Sequence, residues 1–245
     1  MDKNYPRRGI SRIEVLLCML VFVVALGLTF VWAQRSRMAP NRIECVNNLK
    51  NLGQALHSYH VDFGSFPSEA AQPSPNLYMS LNAYFEDQSS PSPFLNPPRR
   101  RAFLCPSRRN VSVGPKRDYG YGGTKEPGSV GTSVLDAPVP VNMKTSGNVS
   151  WSNVAFLSHV WMDPKHYEGG DPTDLGWITL NNSRSCNTNF LDGNPAGSTK
   201  AIGSPHPYSS PFLFADGHVQ NIPYTWTEHL PKIWAIEQSQ NVTLP

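Results

Sequence analysis

The sequence predicts an α+β protein in which one long N-terminal helix, first membrane-spanning and then amphipathic, packs on a loop-rich antiparallel β-sheet head. Three observations carry that expectation. Residues 15–33 contain no charged side chain, apolar residues recur with helical spacing from Cys45 to Phe63, and the remainder is punctuated by Pro and Gly around short β-branched and aromatic runs. Charged residues make up only 16% of the 245, while 23 Pro and 18 Gly set a turn-heavy composition. With 6 Trp, 9 Tyr and 11 Phe the chain is too aromatic for disorder, so the loops are expected to wrap a core. The net charge of +3 is spread over scattered clusters such as "RRR" at 99–101. That distribution lacks the aromatic-interleaved basic surface of a nucleic-acid binder, and no nucleic-acid partner is expected.

The first element is the span. As a helix, Val15 to Ala33 would extend about 28 Å, close to the roughly 30 Å hydrocarbon core of a bilayer. Secretory-signal apolar regions run to about 15 residues, so this one is long for a signal, although Val31-Trp32-Ala33 resembles a small-residue cleavage site. Lys3, Arg7, Arg8 and Arg12 precede the span and favour a cytoplasmic N-terminus. That orientation makes a single-pass protein of the inner (cytoplasmic) membrane with an extracytoplasmic, periplasmic head; Arg35, Arg37 and Arg42 on the far side count against it. Glu14 is the odd residue, because a carboxylate at the edge of hydrocarbon costs up to about 3 kcal/mol unless it snorkels or is paired.

"RRGISRIE", residues 7–14, resembles the class III signal of type IV prepilins and type II secretion pseudopilins. The resemblance implies cleavage after Gly9 by a prepilin peptidase, methylation of the new N-terminus Ile10, and pairing of Glu14 with the Ile10 amine of a neighbouring subunit. Such a pair offsets the desolvation that either charge alone would suffer. The family usually starts with Phe, followed by Thr and a third apolar residue, whereas this chain has Ile10, Ser11 and Arg12.

The second element is "NRIECVNNLKNLGQALHSYHVDFGSFP", residues 41–67. Cys45, Leu49, Leu52, Leu56, Tyr59 and Phe63 form one helical stripe, with Asn47, Lys50, Asn51, Gln54 and Ser58 on the opposite face. Gly64 and Pro67 are expected to stop the helix, and Pro40 to bend or break it. His57 and His60 flank the stripe and read as packed or solvated.

In the head, "NVAFLSHVWM", "GWITL" and "PFLFADGHVQNI" read as strands, the last as a hairpin turning at Asp216-Gly217. Cys18 lies in the span. Of the remaining cysteines, Cys45 faces the head, so a disulfide between Cys45 and Cys105 is expected, leaving Cys186 over. His206, Asp216 and His218 carry metal-ligating groups, yet Asp216 and His218 fit a turn better, and no metal or cofactor is expected. "GGDPTDLG" is a calcium candidate by analogy with calcium-stabilised pseudopilins, although its spacing does not match an EF-hand loop. No Ser-His-Asp ordering, CxxC pair, P-loop or dinucleotide glycine motif occurs, and an enzyme is not expected.

The blocks "CVNNLKNLGQALHSYHVDFGSFP", "FLCPS" (103–107) and "SWSNVAFLS" (150–158), with His206 followed after nine residues by Asp216-Gly217, resemble the family of domain of unknown function 1559. Its members are bacterial pilin-like, prepilin-type H-X9-DG proteins. Ser158-His159 stand where that family tends to Gly-Glu. The expected organisation is a leader (1–9), a transmembrane helix (10–34), an amphipathic helix (35–66) and the head (67–245). The expected function is a structural pilin-like subunit whose partners are the peptidase, other pilin-like subunits and the lipid membrane. The alternatives are an unprocessed single-pass binding module and a metal-dependent enzyme.

Overall fold

A computed structural model of the chain describes residues 12–71, 76–85, 101–171, 174, 176–177 and 183–245, without the side chains of 30–39. Gly9 and Ile10, and most of "GWITL", lie outside the described residues. The fold is α+β, as expected. Helix α1 runs Arg12–Phe63 and continues across Pro40. Proline removes one backbone hydrogen bond and crowds one carbonyl, and helical sequence on both sides of Pro40 tolerates that. Pro40 marks the boundary between two compact units, Met1–Pro40 and Asn41–Pro245.

In the first unit, Arg12–Thr29 is long and apolar enough to cross a membrane, and none of it is buried by protein. In the second, the α1 stripe is core. Cys45, Leu49, Leu52 and Leu56 are fully buried and Tyr59 nearly so, while Asn47, Lys50, Asn51, Gln54 and Ser58 face solvent. Phe63 departs from the expected stripe. It is 65% exposed and stacks on Tyr59 at 4.4 Å between centroids. The helix stops at Phe63, the chain turns at Gly64, and Phe66 takes the core position instead.

A second, one-and-a-half-turn helix α2 (Leu77–Asn82) is capped by Asn76, whose side chain accepts from the Met79 amide. The strands follow as β1 (Tyr119–Gly122), β2 (Ala155–His159), β3 (Ser183–Arg184), β4 (Phe190–Leu191), β5 (Gly203–Ser204), β6 (Ser209–Phe214) and β7 (Val219–Pro223). A short helix α3 (Leu230–Ile233) comes near the C-terminus. The main sheet has the order β3-β1-β2-β6-β7, and β4 pairs β5 separately. β1-β2, β2-β6 and β6-β7 are antiparallel, whereas β1-β3 and β4-β5 are two-residue parallel pairs.

Local chemistry explains the better-formed strands. β1 reads "YGYG" and is buried throughout; a Cβ on Gly122 would sit 2.5 Å from the Trp234 ring, so that face admits only glycine. β2 is buried at all five positions, which fits a central strand. β6 and β7 form the expected hairpin, closed by Phe214 N–H donating to His218 O at 2.9 Å. Its loop is Ala215-Asp216-Gly217, with the Gly217 N–H donating to Phe214 O and Gly217 at φ 90°. This is a three-residue connection that requires a left-handed residue at its end. Gly217→Ala is therefore expected to destabilise the head by about 1–2 kcal/mol without loss of fold, read as a lowered Tm.

Candidate functional site

Four chemically active side chains from distant segments meet inside the second unit. Cys45 comes from the buried stripe of α1, and Cys105 from the loop after the 3-10 turn Arg101–Phe103. His159 ends β2, and His206 stands between β5 and β6. One ligating atom from each, two sulfurs and two imidazole nitrogens, lie within 4.8 Å of one another. None of the four residues is more than 2% exposed. The Cys45 and Cys105 sulfurs are 2.6 Å apart, and His206 Nε2 is 3.9 Å from Cys105 Sγ. The rings of His159 and His206 meet edge to face at 5.3 Å.

The electrostatics of the cluster are uneven. Burial pushes the Cys45 thiol up, but hydrogen bonding from Cys105, His159 and His206 outweighs it and holds this group far below the ordinary thiol value. Burial, then the hydrogen bond and charge of Cys45, push Cys105 well above it. Burial lowers the pKa of His159, partly offset by Cys45. Neither ring nitrogen of His159 has a hydrogen-bond partner of normal length and angle. A buried polar atom left in that condition costs about 1–3 kcal/mol.

A second layer fixes the elements that deliver these groups. The Cys105 amide donates to Asp118 Oδ2 at 2.7 Å, and Asp118 also pairs with Arg109 at 2.6 Å and Arg108 at 3.7 Å. Arg108 grips Asp192 with two bonds, at 2.7 and 2.9 Å, and donates to the carbonyls of Val160 and Gly203. One buried guanidinium thus ties the Cys105 loop to the chain beside His159 and to β5. Tyr224 donates its hydroxyl to the His206 carbonyl at 2.6 Å, and the His206 amide donates to Ser204 Oγ. Tyr208, two residues beyond His206, holds φ 72° while 86% exposed, a strained backbone in the turn that presents the imidazole.

Among the residues singled out in the sequence, Cys45 and Cys105 are brought together, and His206 joins them. Asp216 and His218 do not converge with His206 in this cluster. They serve the hairpin turn, where Asp216 Oδ1 accepts from the His218 amide and lies 2.6 Å from His218 Nδ1. In the "GGDPTDLG" loop, Asp174 is engaged by Arg109 at 2.6 Å and Asp171 lies 3.6 Å from His166 Nδ1, so neither carboxylate is uncommitted. Cys186 is buried apart, its thiol donating to Gly123 O and raised by burial to about 12. His57 packs edge-on against Phe66, and His60 accepts from the Met143 amide. Glu14 lies in the first turn of α1.

Sequence reasoning missed His159, Arg108, Arg109, Asp118 and Asp192. The available signals were a histidine in place of glutamate in "NVAFLSH" and the "RR" directly following "CPS". No curated protein and no solved structure matches the chain. Residues 34–80, the stretch that contains Cys45 and the whole buried stripe, match the family described as "Protein of unknown function (DUF1559)", the resemblance expected from the sequence.

Proposed function

We propose that the chain is a pilin-like structural subunit of the cytoplasmic membrane, processed after Gly9 and assembled through its N-terminal helix. The observation that supports this reading is a single helix with two chemistries. Its Arg12–Thr29 stretch is apolar and uncovered by protein, while its Cys45–Tyr59 stretch is core of a β-rich unit. A segment that buries nothing on itself needs lipid or copies of itself around it. The Ile10 amine and the Glu14 carboxylate of adjacent subunits then neutralise each other at the membrane edge and fix axial register. Arg12, two residues before Glu14, and Ile10 in place of the usual Phe favour the second reading, an unprocessed anchor carrying a binding head.

N-terminal analysis of membrane-extracted protein separates the two. Methylated Ile10 as first residue supports assembly, and retained Met1 supports a plain anchor. Glu14→Gln is expected to leave membrane insertion and head stability unchanged while lowering the yield of cross-linked oligomers about tenfold, as loss of about 1.4 kcal/mol of pairing requires.

A further inference from the structure

We propose that Cys45, Cys105, His159 and His206 form a closed four-ligand site for a divalent cation of borderline softness, zinc being the best fit, and that the ion clamps α1 to the head. Nothing in the proposal depends on processing or assembly.

The donor set is the first argument. Two thiolates and two imidazoles are the ligands of tetrahedral structural zinc, and two thiolates neutralise the ion's charge in an interior that offers it no other anion within the cluster. Geometry is the second. A tetrahedron built on metal–sulfur bonds of about 2.3 Å and metal–nitrogen bonds of about 2.0 Å has edges of about 3.3–3.8 Å. The four atoms already lie within 4.8 Å of one another, so shifts of about 1 Å complete the tetrahedron: the two sulfurs, at 2.6 Å, move apart and the widest pair closes.

The third argument is His159. Its ring is fully buried, neither nitrogen has a hydrogen-bond partner of normal length and angle, and it faces the two sulfurs and the second imidazole. A Cys45–Cys105 disulfide accounts for two members of the cluster and leaves that ring unexplained. A cation engages all four residues, taking one nitrogen of His159. The fourth is topology: Cys45 and Cys105 are 60 residues apart and Cys105 and His206 are 101 apart, so one ion closes the α1, loop, β2 and β5–β6 segments together. With four protein ligands and no solvent-open position the role is structural rather than catalytic. The second layer matches such a role, since Asp118 holds the Cys105 amide and Tyr224 the His206 carbonyl.

The test uses the full chain extracted in detergent without chelators. Metal content is measured by inductively coupled plasma mass spectrometry, alongside intact mass under non-reducing conditions. The proposal expects one zinc per chain, no loss of two hydrogens from the mass, and alkylation of Cys45 and Cys105 only after a strong chelator is added. His159→Ala and His206→Ala should each lower bound zinc about tenfold or more, and His159→Cys, which restores a thiolate ligand, should regain it. Should the alanine variants not fold, the wild-type chain grown on cobalt decides. Intense visible ligand-field and thiolate-to-cobalt absorption supports the site. A metal-free chain with a Cys45–Cys105 disulfide, zinc retained in both alanine variants, or cobalt protein without thiolate charge transfer would each overturn it.

Discussion

Arg108→Ala is expected to unfold the head at or near physiological temperature. The guanidinium and the carboxylates of Asp118 and Asp192 are at most 2% exposed, so removal of the cation leaves two buried carboxylates with diminished compensation. Breaking a buried ion pair from one side costs about 3–5 kcal/mol, a large share of the roughly 5–15 kcal/mol that holds a domain together. Burial acts to lower the Arg108 pKa, and the charges of Asp192 and Asp118 outweigh it and hold it raised. Arg108→Lys keeps the charge but loses the planar fork that reaches Asp192, Val160 O and Gly203 O together, and should fall between the two. Thermal unfolding followed by circular dichroism on the two variants checks the order. A stable Arg108→Ala head would mean that this network does not support the cluster beside it.

The second large effect is on α1. Leu52 is fully buried, about one turn on from Leu49 and two from Cys45, and lies in the same apolar cluster as Leu213 of β6 and Phe156 of β2. Truncation to Ala should cost about 2–5 kcal/mol, the transfer loss plus the cavity left behind. Leu52→Asp should cost more, because it places an unpaired carboxylate in that interior, and should abolish the folded head. Replacing Lys50 or Gln54 on the exposed face by Ala should change stability by less than about 0.5 kcal/mol. Limited proteolysis near residues 60–67, compared across these variants, reports whether the helix stays docked.

These two predictions rest on parts of the molecule that differed in legibility. The Leu52 stripe was readable because helical periodicity is a local property, and burial of one face is the reason the pattern exists. It was misread only at Phe63, where the helix ends and the next apolar position passes to Phe66. The Asp216-Gly217 hairpin was readable for the same local reason. The Arg108 network was not. Its partners Asp118 and Asp192 lie in loops beside short strands, where side-chain order comes from tertiary contacts, and two-residue pairs such as β1-β3 and β4-β5 carry no period to detect. The Cys45, Cys105, His159 and His206 cluster was half readable. Two cysteines were matched because Cys45 lies on the stripe that faces the head, but ligands drawn from four separate segments leave none of the close spacing by which metal sites are recognised in sequence.

The central claim is that the C-terminal part of α1, Cys45–Tyr59, is an integral part of the head's core. Backbone amide hydrogen exchange on the full-length protein tests it most directly. Residues 45–59 should exchange as slowly as β2 and β6, opening only with the whole unit. Exchange there at the rate of an undocked helix, while β2 and β6 stay protected, would contradict the account.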